Sequence, residues 1–141
     1  MFYLRQRLLM RLFLRWLKNQ KEEKKMLIPI VMGICAIGGT TYGMAEETIA
    51  FYPILIPVLL TAGYDVVTGI MVVLLGAGVG IVGGISNPFS VGIGSNIAGI
   101  SLGDGILTRL VLFIACFIFA VFFVMHYAEK VRKDPTKSIV Y

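Results

Sequence analysis

The sequence is poor in the residues on which most active sites and metal centres depend. Its 141 residues include one histidine and two cysteines. Cys35 and Cys116 lie inside apolar runs with no short spacing between them, which indicates neither a disulfide framework nor a metal-binding motif. The chain also has no Ser–His–Asp set, no phosphate-binding loop and no Cys/His cluster. We therefore expect neither an enzyme nor a cofactor.

Charge is also scarce outside the two ends of the chain. Charged residues make up 15% of the sequence and hydrophobic residues 57%, and the mean hydropathy is +0.86. This composition is typical of an integral membrane protein, whose first partner is the lipid bilayer. Lys and Arg outnumber Asp and Glu by 13 to 8. Because most of the excess lies in residues 1–25, it indicates contact with a membrane surface and not with nucleic acid.

Residues 1–25 have the pattern of a basic amphipathic helix that lies in the membrane interface. Arg7, Arg11, Arg15 and Lys18 recur at helical spacing, while Leu, Phe and Trp cover most of the remaining surface. A solvated helix with incidental leucines is the alternative. Scattered arginines and the lack of a continuous apolar core argue against a signal peptide.

Four apolar runs follow, over residues 26–43, 49–63, 66–85 and 105–128. The first two are shorter than the ~20 residues that a spanning helix usually needs. The fold class that we predict is an all-α integral membrane protein. Its membrane domain, 26–128, has a re-entrant helical hairpin over 26–63, a broken transmembrane helix over 66–100 and a continuous one over 105–128. Residues 129–141 form a cytoplasmic basic tail.

Positive charge at both ends predicts that both termini are cytoplasmic and that the protein crosses the cell membrane several times. An even number of crossings is then required. A hairpin that enters and leaves on one side, together with two spanning helices, meets this requirement. Four full spans also meet it, so parity leaves both topologies open.

Two adjacent acids, Glu46 and Glu47, stand between the first two apolar runs. Two carboxylates facing lipid would cost about 5–7 kcal/mol, more than the apolar residues that follow return. The acids therefore lie at an interface or at a hairpin tip inside a wet cavity. Glycines and the hydroxyls of Thr40, Thr41 and Tyr42 favour the cavity. The bland alternative is that the acids favour the N-terminus of the next helix.

A second polar island occupies residues 86–96, with Ser86, Asn87, Pro88 and Ser90 followed by Ser95 and Asn96. Pro88 interrupts a helix and frees backbone carbonyls, and Asn and Ser supply neutral oxygens, which suit Na⁺. An external loop is the alternative. The preceding run has Gly76, Gly80 and Gly84 at four-residue spacing, a small-residue face for close helix packing.

The stretches "GGTTYGMAEETIAFYPILIPVLL" and "GAGVGIVGGISNPFSVGIGSNIAG" resemble the C4-dicarboxylate anaerobic carrier family, in particular its YfcC-like branch within the ion transporter superfamily. The resemblance covers most of residues 26–134. It implies two inverted repeats, each with a re-entrant hairpin and a broken helix, and a substrate bound where hairpin tips and breaks meet. Only one such set is present, so the chain is expected to be a fragment covering part of one repeat.

The resemblance places the hairpin tip at residues 40–47 and the break at residues 86–90. The expected function is secondary active transport or exchange (antiport) of a small organic solute, either a basic amino acid or a C4-dicarboxylate. The coupling ion would be Na⁺, held by Ser86, Asn87 and Ser90, or H⁺. The missing repeat or another copy of the chain would complete the site. The alternative is a small non-transporting membrane protein with an assembly or regulatory role. The candidate site residues are Thr40, Thr41, Tyr42, Gly43, Glu46, Glu47, Ser86, Asn87, Pro88, Ser90, Ser95 and Asn96.

Overall fold

The computed structural model describes residues 23–140, and this part of the chain is helical, without strands. Helix α1 covers Glu23–Tyr42, a 3₁₀ segment covers Glu46–Phe51, and α2 covers Tyr52–Thr61. Helix α3 covers Val66–Val82, a π-helical turn covers Pro88–Gly92, α4 covers Ile93–Ala98 and α5 covers Ile106–Lys133. A short 3₁₀ turn, Pro135–Lys137, follows. The all-helical prediction is confirmed.

The predicted interfacial helix lies, except for its last three residues, outside the described residues. Residues 23–25 already belong to α1, which starts earlier than the hairpin boundary at 26. Helix α1 therefore has 20 residues, about 30 Å at 1.5 Å per residue. The argument that the first arm is too short to span does not hold. Whether the hairpin is re-entrant stays a prediction.

Two helices in the described part are long and apolar enough to cross a membrane, α1 from Lys25 and α5. Helix α5 continues five residues beyond the predicted end at 128, because its last turn carries Lys130, Arg132 and Lys133, and cations stabilise a helix C-terminus. Only 6% of its most apolar 18-residue window is buried. This exposed apolar surface must be covered by lipid or by further protein.

Helices α1 and α3 run parallel and touch through glycines. A Cβ on Gly76 would lie 3.0 Å from the carbonyl oxygen of Met32, and one on Gly80 would lie 2.9 Å from the Cα of Gly39. Residue numbers increase together along this pair, which fixes the parallel direction. We call it the glycine seam. The predicted small-residue face therefore packs one backbone directly against another.

The bundle has two ends, which we name the base and the tip end. At the base, the Lys25 ammonium contacts the Glu129 carboxylate at 2.5 Å, so the start of α1 lies beside the end of α5. At the tip end, the end of α1 meets the end of α3 and the first turns of α5. Between them lies a core of fully buried apolar side chains from all four long helices: Ile28, Met32, Leu59, Val72 and Val124.

Candidate functional site

Thr40, at the tip end of α1, binds the backbone where α3 stops. Its hydroxyl donates to the carbonyl of Gly83 at 3.4 Å and accepts from the N–H of Ile85 at 2.9 Å. Its own carbonyl accepts from the N–H of Ser86 at 3.3 Å. Gly83 is the C-cap of α3, so these bonds satisfy backbone groups that the interrupted helix leaves unpaired. Thr40 is itself buried.

Gly43 continues the contact between the predicted hairpin tip and the interruption. It has φ +72, a conformation that favours glycine, and a Cβ there would lie 2.6 Å from Oδ1 of Asn87. The backbone of the tip therefore lies directly against the amide of Asn87. The two polar islands, more than forty residues apart in the sequence, meet at this point.

Asn87 is buried within the interruption and binds the backbone that follows it. Its side chain is 1% exposed, and Oδ1 accepts from the N–H groups of Phe89 at 2.9 Å and Ser90 at 3.3 Å. The amide thus caps the π-helical turn that begins at Pro88. Helix α3 ends at Val82, so the gap between helices covers 83–87, slightly earlier than the predicted 86–90.

The predicted Na⁺ ligands differ in their exposure and in the hydrogen bonds that they already make. Ser86 and Ser90 are exposed, whereas the Asn87 oxygen already accepts two N–H groups. An ion bound to Asn87 must displace at least one of these bonds. Within residues 23–140 no group of three or more His, Cys, Asp or Glu could hold a metal. The Na⁺ site stays a prediction.

Within the described residues, the remaining polar residues of the tip form no hydrogen bond with the interruption. Tyr42, Glu46 and Glu47 are exposed, and the Thr41 hydroxyl donates back to the carbonyl of Ile37 at 2.7 Å. The two acids stand in the first turn of the 3₁₀ segment, where negative charge is favourable. The predicted tip therefore divides into a part that contacts the break, Thr40 and Gly43, and an open acidic part.

Ser95 and Asn96 lie on α4, on the wall of an open cavity of about 370 Å³. Ser95 is buried and Asn96 exposed. Pro88 and Leu102 line the same cavity. Helix α4 ends at Ala98 and is capped by Gly99, which has φ +67, and the N–H of Ile100 donates back to the carbonyl of Ser95 at 3.1 Å. The candidate residues Ser95 and Asn96 thus lie on the short helix that follows the break, and not in the break itself.

Sequence reasoning missed Arg109, which binds the break from α5. Its guanidinium donates to the carbonyl of Ile85 at 3.3 Å, to that of Leu102 at 3.1 Å and to that of Asp104. Local patterns give no signal for this contact, because 24 residues separate Arg109 from Ile85. An arginine in the first turn of a long apolar helix was the only available hint.

Sequence reasoning also missed an acid at the base. Asp65 caps α3 by accepting from the N–H of Thr68 at 2.9 Å, and its other oxygen accepts from the hydroxyls of Tyr127 at 3.0 Å and Ser138 at 2.7 Å. One carboxylate thus joins the α2–α3 turn to α5 and to the segment after it. Burial raises the pKa of Asp65, but the bonds from Thr68, Ser138 and Tyr127 outweigh it, and the pKa lies below its ordinary value.

The lowered pKa of Asp65 predicts a pH dependence. Its stabilising contribution is complete above the unfolded pKa, about 4, and is lost as the pH falls through the lower folded pKa. We expect Asp65→Asn to lower the thermal midpoint at pH 7 and the difference from wild type to shrink below about pH 4. Circular dichroism melts over this pH range measure it. A constant difference at every pH would contradict the assignment, and Tyr127→Phe should remove part of the effect.

Comparison with known proteins identifies the family. A family profile described as C4-dicarboxylate anaerobic carrier matches residues 7–141, nearly the whole chain. The chain belongs to the C4-dicarboxylate anaerobic carrier family. It is 39% identical over 127 residues to an uncharacterized protein of Haemophilus influenzae. The matching segment covers 88% of this chain and 24% of that protein. No solved structure matches it.

A second relative of this carrier family is the putative basic amino acid antiporter YfcC of Escherichia coli, 30% identical over 125 residues. The match covers 89% of this chain and 25% of YfcC. The chain thus spans about a quarter of the length of the curated relatives it matches. Membership of a carrier family makes it a membrane protein of a transporter class, consistent with the expectation that it is not an enzyme.

The orientation of this membrane protein is a separate prediction. Lys137 lies just after α5, near the base, and Asp104 lies in the turn before α5, at the tip end. Because positive charge gathers at the base, we expect a cysteine at Lys137 to react only from the cytoplasm and one at Asp104 only from outside. A membrane-impermeant maleimide applied to intact and inverted vesicles, in a Cys116→Ser background, measures this. Labelling of either position from both faces would refute a single orientation.

Proposed function

We propose that this chain supplies one half of the solute site of a secondary active transporter in the cell membrane. The solute is a small organic molecule, a basic amino acid or a C4-dicarboxylate, moved by exchange or with Na⁺ or H⁺ as the coupling ion and without an organic cofactor. The name of the relative YfcC, a putative basic amino acid antiporter, supports the amino acid, and the family name supports the dicarboxylate.

The observation that carries the proposal is the contact of Thr40 and Gly43 with the gap between α3 and the π-helical turn. Interrupted helices inside a membrane are tolerated where the backbone is covered by protein or lines a cavity, and carriers bind solutes and ions there. The chain satisfies part of this backbone with Thr40 and Asn87, and leaves Ser86, Ser90, Glu46 and Glu47 exposed beside it. These exposed groups are the proposed ligands.

In this proposal, further protein covers the polar residues that this chain leaves exposed at the tip and the break. The exposed polar residues of the tip need a covering surface inside the membrane, which the resemblance assigns to a second, inverted repeat, whereas the apolar faces of α5 can be covered by lipid or by that repeat. Another copy of the chain is the alternative partner. Because the matching segment is a quarter of each relative, the relatives have ample length for such a repeat.

A non-transporting assembly or regulatory protein remains the second candidate function. The observation in its favour is that the Thr40 hydroxyl and the Asn87 Oδ1 each make two hydrogen bonds that hold α1, the end of α3 and the π-helical turn together. In that case the polar islands are packing contacts, and the open acids have no ligand. Solute binding separates the two candidates.

The test is binding of ornithine, arginine and succinate to the purified chain in lipid nanodiscs, measured by saturation-transfer NMR, which detects weak ligands. If the acids bind a cationic group, Glu46→Gln and Glu47→Gln should each weaken ornithine and arginine binding roughly tenfold, because the amide keeps the shape and loses the charge. Asp134→Asn, which removes an exposed acid at the base, is the matched control and should bind normally. No binding of any solute by the wild type would favour the assembly protein.

A further inference from the structure

In the part of the chain that the structure describes, Arg109 is a cation whose charge is not matched by an acid. Within residues 23–140 it forms no ion pair; the acid nearest in sequence, Asp104, turns its carboxylate to the N–H of Ser101 at 2.9 Å and offers Arg109 only its backbone carbonyl. A guanidinium has five N–H donors; here Nη1 donates once and Nη2 twice to carbonyls, which leaves the Nε–H and one Nη1–H unused among the described residues.

The position of Arg109 relative to the break is fixed by two shared residues. Its guanidinium binds the carbonyl of Ile85, and the N–H of that same residue donates to Thr40 from the tip. Its second partner, Leu102, lines the cavity that Pro88 and Ser95 also line. Arg109 thus binds one residue of the tip contact and one residue of the cavity wall, which precede and follow the break in the sequence.

A merely structural role would not need an arginine with this arrangement. Backbone carbonyls can be satisfied by neutral donors, whereas a partly buried guanidinium costs desolvation that carbonyl dipoles return only in part. Arginine is the residue that binds carboxylates through two parallel hydrogen bonds. The guanidinium held by these three carbonyls can meet an incoming carboxylate through its unused Nε–H or Nη1–H, and a second parallel bond forms when the carboxylate replaces one of the two carbonyls on Nη2.

We propose that Arg109 is the residue that recognises a carboxylate of the solute at the break. The inference rests on the proposed function and narrows it: the solute must carry a carboxylate. Basic amino acids and C4-dicarboxylates share this group, so Arg109 binds the feature common to both candidates. Glu46 and Glu47, the exposed acids of the predicted hairpin tip, then decide between a cationic and an anionic far end of the solute.

The test compares solutes that differ only at the carboxylate. Ornithine is paired with putrescine, its decarboxylated form, and succinate with its neutral diamide, succinamide. The wild-type chain in nanodiscs is treated with phenylglyoxal, and modification of Arg109 and Arg132 is followed by mass spectrometry of their peptides. We expect ornithine or succinate to slow modification of Arg109 at least about threefold, while putrescine and succinamide do not. Arg132, at the base, is the internal control.

The outcomes separate the inference from the proposed function. Solutes that bind by NMR without protecting Arg109, or that protect it equally with and without the carboxylate, overturn the inference alone. Absence of both binding and protection overturns both. In Arg109→Gln, the preference for ornithine over putrescine should disappear, and Arg109→Lys should restore only part of it, because the ammonium lacks the planar fork. A changed melting temperature with an unchanged preference would assign Arg109 to packing and refute the proposal.

Discussion

Gly80→Leu should separate α1 from α3. A Cβ at Gly80 would lie 2.9 Å from the backbone N of Thr40 and closer still to the carbonyl oxygen of Ala36. Both are backbone atoms that cannot rotate away, so even alanine forces the helices apart and leucine more so. We expect a loss of stability of at least about 1–3 kcal/mol, the usual cost of overpacking.

Cys35 provides a direct measurement of this separation. It is a buried residue of α1, and a Cβ on Gly76 would lie 3.0 Å from the Cβ of Cys35. In a Cys116→Ser background, its rate of reaction with a maleimide should rise sharply in Gly80→Leu. Gly78→Leu is the matched control, because it lies on the same helix with nothing within 4 Å of its Cβ. Equal labelling rates in the two variants would show that the seam is not where the structure places it.

The second large effect is expected for Gly43→Ala. The substitution strains a residue with φ +72 and places a methyl group 2.6 Å from Oδ1 of Asn87, which in turn caps the π-helical turn. Strain of about 1–2 kcal/mol and an overpacking cost of about 1–3 kcal/mol should add. We expect a clear fall in thermal midpoint and loss of solute binding, because the tip moves away from the break.

Gly105→Ala is the control that separates the effect of the Gly43–Asn87 contact from the effect of backbone strain. Gly105 has φ +74, almost the same conformation, but its Cβ would meet nothing within 4 Å. It should therefore show only the strain and keep solute binding. If the two alanine variants melt and bind alike, the contact between Gly43 and Asn87 contributes nothing measurable.

Local sequence patterns were sufficient for the helical fold and for the interruption. The glycines and Pro88 predict an interruption for reasons of covalent geometry, although α3 already ends at Val82 and Pro88 begins the π-helical turn; the four-residue glycine spacing predicts a close helix contact. Helix limits were less accurate. Charged residues at the ends of α1 and α5 were assigned to an interfacial helix and a tail, although they continue the helices.

The site was only partly accessible from the sequence. The resemblance to the carrier family, and not a local pattern, implies that the hairpin tip and the break meet, and Thr40 and Gly43 do contact Gly83 and Asn87. The sequence could not predict which tip residues contact the break and which stay exposed, because this depends on tertiary packing. Arg109 and Asp65 were missed for the same reason: each binds groups on other helices that no local pattern connects.

The glycine seam has a mechanical consequence. Two backbones in direct contact have no intervening side chains whose rotamers could adjust, so α1 and α3 can neither slide nor roll past each other without a clash. They form one stiff strut that carries Thr40 and the end of α3 together. Any opening of the site must then bend the irregular segments that leave this strut, 43–51 and 83–92, with Gly43 as one pivot. In a carrier built this way, Thr40 and the end of α3 move together as one rigid unit. The segments that can open or close the site are then the irregular ones that follow each helix.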